Sequence, residues 1–551
     1  MMGLQARDRE FRHLRISYLD FKHLEMDRVL TSFLARLNHQ GYPSRIFRKF
    51  ELTVDQFYLE FAEHPELFAG FGDHEDIARR WIETHLMDVV NRGKLEQAIA
   101  APRPLHGLTY RFRNPRHSRP YGADEHLYTM IEHARNGRGP VVLEYLKEFF
   151  FAGIDRSTQR ENHAVEIDVE TQALLRLAAV KNLEDNRDDR RPRESYSPLC
   201  IGSADLLSDD ISRLLLYQKF IPRSVMVDYL KILVSFHMAL YHLRLLKLLP
   251  ALVRRKSGDP ACQPTACPMK PREFLSPQGD CPHQFGLLLD VANRPDLPMA
   301  RLAEQSADVW FRRIPGFVRS YFTVKKLDEF AGYLAKQDKL KRPASGFAIE
   351  DVLPLLEGMY KGERDPYFKQ RLAGIGDDSS GGQDTPPEVG KILEMGLAPL
   401  DTFVELLMVY RGAFHRKYVV QCLDALLLKG RAGALLTQPR IKDGKRRFIL
   451  DSRLLEVLLQ LAVLRPGGRS QFHTEALRIE DLLGFLRERY GLFIDQLPPG
   501  DGFGAPSIED RASLRQNTAA FVGRLREVGF FQDLSDAYVT QTVTPRYEVQ
   551  P

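Results

Sequence analysis

The chain has little cysteine, little tryptophan and almost no net charge. Five cysteines in 551 residues are too few for a disulfide-stapled secreted scaffold, so a reducing compartment is expected. Lys and Arg number 78 against 73 Asp and Glu, a net charge of +5. The chain is therefore no polycation, and contact with a polyanion would have to come from local clustering. The opening residues, MMGLQARDREFRHLRISYLDF, lack the long apolar core of a signal peptide. The most apolar segment, Val225–Leu249, contains Asp228, Lys231, His237, His242, Arg244 and Lys247. That charge density argues against a membrane span and predicts a buried bundle helix. The expectation is a cytoplasmic protein without membrane contact.

Catalytic signatures are also missing. The chain has no G-x4-G-K-[ST] phosphate loop, so no nucleoside triphosphate is expected as partner. It has no G-x-S-x-G elbow and no H-E-x-x-H pair. His237 and His242 stand five apart on the apolar helix and read as satisfied core histidines. Cys200 and Cys422 have no base close in sequence, and burial is the default for both.

What is present suits a soluble globular protein: 44% apolar and 27% charged residues, with length for three or four domains. The fold class read from the pattern is mainly α and multidomain, a helical body with C-terminal winged-helix units, each a helix plus a β-hairpin. Helical periodicity recurs at 23–37, 54–63, 75–91, 123–135, 140–152 and 170–180. Thr53 and Asp73, before the helix containing Trp81, are candidate caps, and Leu14–Tyr18 and Leu108–Phe112 are candidate strands. The polar run NLEDNRDDRRPRESYSP (182–198) reads as an exposed linker, and GIGDDSSGGQDTPP (374–387) as a domain boundary. The expected domains are 1–181, 199–373 with a Cys-rich insertion at 259–288, 388–470 and 471–551.

Residues 411–447, RGAFHRKYVVQCLDALLLKGRAGALLTQPRIKDGKRR, are the most informative stretch. Ten are Lys or Arg, and only Asp424 and Asp443 are acidic. An apolar helical pattern runs to Gly430, and the spacing beyond it predicts a hairpin of Ala434–Gln438 against Arg447–Asp451 around an Asp443-Gly444 turn. A helix followed by a basic hairpin is the sequence form of a winged helix, and such a unit points to nucleic acid. Arg416 and Lys417 fall at the start of the recognition helix; Arg440, Lys442, Lys445, Arg446 and Arg447 fall on or beside the wing, where they would meet phosphates. A second unit has helices at 479–489 and 511–528 and a terminal hairpin. There Arg515, Gln516 and Asn517 occupy the equivalent helix, and Gln and Asn can read adenine edges. Winged helices also dock proteins, and lysines on an edge strand also keep it soluble. In the docking alternative, an apolar patch is expected around Phe530 and Phe531.

Cys262-x4-Cys267-x13-Cys281-x-His283 puts three thiols and an imidazole into a proline-rich loop without an evident core. Three of the five cysteines lie within twenty residues. A structural Zn2+ held by Cys262, Cys267, Cys281 and His283 would supply the missing cross-link. The basic, aromatic segment 103–119 could bind a single strand, though such runs are commonly solvated faces. Glu161, His163, Glu166, Asp168 and Glu170 could hold Mg2+ in a divergent nuclease. Asp168 as cap of the next helix accounts for this cluster better.

The order of parts is a helical body, a Cys-containing insertion and a helix–hairpin C-terminus with DLLGFLRERYGLFID at 481–495. It resembles the large accessory proteins of bacterial antiphage defence islands, of the methylation-associated or phosphorothioation-dependent kind. The resemblance implies a non-catalytic subunit working beside separate nuclease, helicase or methyltransferase partners. The leading expectation is a duplex-DNA-binding subunit that recruits partner enzymes. The alternatives are a protein-interaction scaffold without DNA contact and a metal-dependent nuclease.

Overall fold

The computed structural model describes residues 4–45, 53–90, 97–155, 162, 167–181, 186–190, 192–270, 281–379, 387–439, 444–467, 472–532 and 542–550. The fold is mainly helical with short strands. Its axis is the 33-residue helix Arg223–Arg255, which starts after Pro222 and ends at Lys256 in the left-handed region, φ 59°. Apolar residues occur all round this helix, so no single face can meet water and the helix must be enclosed. It packs against Ile201–Leu215, Ile314–Lys336, Ala413–Leu427 and Ser452–Ala462. Among the described residues it alone is long and apolar enough to cross a membrane, and 94% of its most apolar window is buried inside the fold.

The two histidines of this helix are hydrogen-bonded within the core. His242 accepts or donates at Ser17 Oγ, 3.0 Å, and at the Met238 carbonyl, 2.7 Å. Burial pushes its imidazole down to about 4, so it is neutral at pH 7. His237 Nε2 lies 2.8 Å from Asp210 Oδ2. Asp210 also takes a hydrogen bond from Tyr490 Oη, 2.9 Å, and one from Arg489 Nε, 3.0 Å. Arg489 reaches Asp209 as well, at 2.8 Å, and Arg213 donates to Asp209 at 2.7 Å. Asp210 and Arg489 are wholly enclosed, so this ionic knot ties the helix Ile479–Tyr490 to Ile201–Leu215 inside the protein.

One hydrophobic core runs from Leu4 to Val543 and includes residues from all four expected domains. A second, smaller core lies in the N-terminal region around Phe57, Phe61, Phe68, Ile82 and Leu174. The helix Val54–Ala62 opens with a capping box at Thr53 and Gln56. Asp168 caps Val169–Lys181 by accepting from Thr171 N, 2.8 Å, and Thr171 Oγ1, 2.9 Å. Glu161, His163 and Glu166 lie outside the described residues.

Several elements differ from the sequence expectation. Gly107–Phe112 forms a 3-10 helix rather than a strand, because the buried His106 ring accepts from Leu108 N, 3.1 Å, and turns the chain. Tyr110 and Phe112 are buried there, which removes them as stacking platforms. Leu14–Tyr18 is a turn with a single His13–Ser17 bridge. Residues 192–198 are fastened down: Tyr196 N donates to Tyr18 Oη at 2.8 Å, and Ser195 Oγ donates to Glu132 at 2.6 Å. Helix Lys361–Ser379 runs into the expected boundary at 374–387.

The strand Leu492–Phe493 pairs in parallel with Leu287–Leu288, just after the Cys-rich insertion. Gly491 makes the turn into it at φ 72°, and a Cβ there would stand 2.3 Å from the Phe285 carbonyl oxygen. Only glycine meets both conditions.

Candidate functional site

The basic hairpin forms as the alternating pattern requires. Leu436–Thr437 and Arg447–Phe448 pair antiparallel, Leu436 opposite Phe448 and Thr437 opposite Arg447. Its described cations, Lys445, Arg446 and Arg447, do not share one surface. Lys445 is exposed. Arg446 makes a two-point pair with Asp424, 3.0 and 2.6 Å, and its guanidinium lies 4.7 Å over the Phe311 ring. Arg447 is 3% exposed. It faces the enclosed Asp290 at 3.0 Å and donates to Asn293 Oδ1 at 2.9 Å. Arg447 as a phosphate contact is therefore corrected: it is the counter-ion of a buried carboxylate. Arg440 and Lys442 lie outside the described residues.

The expected pair of helices at 400–410 and 415–429 is one continuous helical run. Pro399–Leu407 passes through a π-helical turn, Met408–Gly412, into Ala413–Leu427. A single Gly412 between 400 and 427 is too weak a breaker to end a helix whose apolar face continues across it. Arg416 and Lys417 are exposed on this run.

In the last part of the chain, Ser452–Ala462 is followed by strands Leu464–Pro466, Phe472–Thr474 and Leu477–Arg478, helix Ile479–Tyr490, strand Leu492–Phe493, helix Ile508–Glu527 and strands Phe531–Gln532 and Thr542–Val543. The three strands form one antiparallel sheet with Thr542–Val543 in the middle. Arg515 and Gln516 are exposed. Asn517 is 2% exposed. Its Nδ2 donates to the carbonyls of Leu289, 2.8 Å, and Ile494, 2.9 Å, while its Oδ1 accepts from Val291 N, 2.9 Å. Asn517 as a base reader is corrected: its amide clamps two backbone segments. Phe530 is buried, so the exposed apolar patch expected of a docking unit does not include it.

A basic cavity that sequence reasoning missed opens beside the C-terminal end of the central helix. Its volume is about 660 Å3. Lys247, Arg254, Lys256, Arg312, Arg313, Arg319 and Arg364 line it, with Asp401 as the one lining carboxylate. Several of these cations are held in place. Arg313 and Lys247 share Asp501, at 2.6 and 3.3 Å. Arg319 pairs with Glu405 at 2.9 Å, and Arg364 donates to the Leu355 carbonyl at 2.7 Å. Arg254 and Lys256 are exposed and make no ion pair among the described residues. Phe311, under Arg446 of the hairpin, directly precedes the lining residues Arg312 and Arg313 in sequence. No linear motif marks the cavity, because its cations come from three separated segments.

The Cys-rich insertion leaves the same helix end. Asp259, Cys262 and His283 bring their ligand atoms within 4.8 Å of one another. His283 Nε2 lies 3.0 Å from Asp259 Oδ2. Cys267 and Cys281 stand outside that group and are half-buried. Each starts a Cys-Pro step. Burial pushes all three thiols upward, reinforced by the thiols beside them. Arg135 fixes the loop by donating to the carbonyls of Pro264, Cys267 and Met269 at 3.1, 3.1 and 2.8 Å. The carboxyl-group cluster offered for a nuclease brings no metal-sized group together among the described residues.

Comparison with curated proteins found no match. The family model described as methylation-associated defense system protein MAD7 matches residues 6–547. That span takes in the helical body, the insertion and the C-terminal hairpins alike, so the chain belongs to the family of methylation-associated defense system protein MAD7.

Proposed function

We propose that this chain is a non-catalytic subunit of its antiphage defence system, one that holds nucleic acid in the basic cavity and recruits partner enzymes. Family membership gives the defence role and implies further components. The observation that carries the nucleic-acid reading is the cavity itself, with seven lining cations against Asp401. A concave surface dominated by one sign of charge focuses its field and raises the local concentration of a polyanion. Arg254 and Lys256 line the cavity and make no ion pair among the described residues, and Lys445, Arg416 and Lys417 are further exposed cations.

The terminal unit adds support. We read its helices Ser452–Ala462, Ile479–Tyr490 and Ile508–Glu527, with the three-stranded sheet that has Thr542–Val543 in the middle, as a winged helix. The exposed Arg515 and Gln516 lie on the helix that would enter the groove. Changing Arg254 and Lys256 together to Glu should weaken duplex binding by about 10- to 100-fold at low salt, as expected for two lost phosphate contacts. Unchanged binding by a folded double variant would remove the cavity from the interface.

A further inference from the structure

We propose that Asp259, Cys262 and His283 form a three-ligand site for a single Zn2+ ion, with its fourth position open to water. The local fold brings the first two residues together. Pro260–Cys262 is one turn of 3-10 helix, with Asp259 as its cap. Side chains at i and i+3 eclipse on such a turn, so Asp259 and Cys262 leave it on the same side. Cys262 N closes the turn by donating to the Asp259 carbonyl at 2.8 Å. Asp259 Oδ1 accepts from Ala261 N at 3.0 Å, which leaves Oδ2 for His283. His283 comes from the other end of the insertion, after Cys281-Pro282, and its Nε2 lies 3.0 Å from that oxygen. The helix Ile349–Val352 braces the turn: a Cβ on Gly258 would stand 2.5 Å from Glu350 Cγ.

The distances suit one ion. The three ligand atoms lie within 4.8 Å of one another. Around a tetrahedral Zn2+ with bonds of about 2.0–2.3 Å such atoms stand about 3.4–3.6 Å apart, so a side-chain movement of about 1 Å closes the site. The Asp259 and His283 side chains are each only 10% exposed. Cys262 lines a surface cleft of about 360 Å3, which gives an ion access to the sulfur from solvent.

The donor chemistry selects the metal. A thiolate, an imidazole and a carboxylate together suit a borderline-soft cation such as Zn2+, whereas Mg2+ and Ca2+ take oxygen donors. Zn2+ displaces the thiol proton on binding. The thiolate and the carboxylate then cancel its two charges, so the loaded site is neutral and costs little to enclose. Arg255 Nη1, 3.1 Å from Asp259 Oδ2, is the cation that must give way, and its half-exposed side chain can turn to water. The ion would tie the turn that follows the central helix to the segment entering strand Leu287–Leu288.

The test is Zn2+ titration of the chelator-treated full-length chain, with Co2+ as a spectroscopic probe. One ion per chain is expected, with a sulfur-to-cobalt charge-transfer band and the visible absorbance of four-coordinate Co2+. Asp259→Ala, Cys262→Ser and His283→Ala should each weaken Zn2+ affinity by more than about 100-fold, beyond the loss typical of a group that only supports a ligand. Cys267→Ser and Cys281→Ser should bind as the unaltered chain does. X-ray absorption at the zinc edge of the unaltered chain needs no variant and should show one sulfur among oxygen and nitrogen neighbours. Two or more sulfurs, Zn2+ kept by Asp259→Ala, or Zn2+ lost by Cys267→Ser or Cys281→Ser would overturn the ligand set. A folded chain that takes up neither ion would overturn the site.

Discussion

Replacing Arg447 by Ala should destabilise the protein rather than merely weaken a surface contact. Arg447 and Asp290 face each other at 3.0 Å, with side chains 4% and 0% exposed. Removing the guanidinium leaves an enclosed carboxylate without its counter-ion, which costs about 3–5 kcal/mol. Asp290 keeps its hydrogen bond from Asn293 N at 3.0 Å, so the lower part of that range is expected. The cost should depend on pH. Burial already pushes the Asp290 carboxyl above its ordinary range, and Arg447 holds it back. Without Arg447 it rises further. A carboxyl raised by folding favours the protonated fold. Its penalty is absent below the unfolded pKa and grows as pH rises through the folded one. The stability gap between wild type and variant should therefore be widest near neutrality and shrink on acidification. Denaturant melts followed by far-UV circular dichroism at several pH values would measure it. Arg447→Met combined with Asp290→Asn removes both charges and should recover most of the loss. If Arg447→Ala melts with the wild type at neutral pH yet loses DNA binding, Arg447 is exposed to ligand and the buried pair is wrong.

Lys445→Glu should leave the denaturation midpoint unchanged within about 0.5 kcal/mol, since the side chain is exposed; a large loss on melting would show that Lys445 is packed. Asn517→Ala should cost about 2–4 kcal/mol, because it strands the carbonyls of Leu289 and Ile494 and the Val291 N–H. Selected-site sequencing should show its DNA sequence preference unaltered, and a shifted preference would restore it as a base reader. Burial alone would raise the Asp210 carboxyl, but Arg489 and His237 outweigh it and hold it well below the usual range. A carboxyl lowered by folding adds stability above its unfolded pKa, and that stability is lost as pH falls. Asp210→Asn should thus cost about 3–5 kcal/mol near neutrality and flatten the acid limb of a pH–stability curve. An acid limb as steep as that of wild type would contradict the ionic knot.

Local chemistry made the helices, caps and hairpin legible. Thr53 and Asp168 sit where their side chains can accept from the following amides. The alternation around 434–451 brings Leu436 opposite Phe448. The histidines of the central helix are enclosed and bonded, as their apolar surroundings imply. Long-range pairing was not legible. Arg446 and Arg447 are adjacent in a basic run, yet one pairs with Asp424 and the other with Asp290, which strand alternation sends to opposite sides. Nothing near Asn517 in sequence shows that Leu289 and Ile494 await its amide. The basic cavity has no linear signature because its wall is built from segments around 250, 313, 364 and 400.

The most direct measurement is the salt dependence of duplex affinity for the intact chain and for the Arg254→Glu, Lys256→Glu double variant. Two to four phosphate contacts predict that log K falls against log salt with a slope of about −2 to −4. The variant should lose about two units of that slope. An affinity indifferent to salt, or the same slope in both proteins, would contradict the assignment of the cavity to nucleic acid.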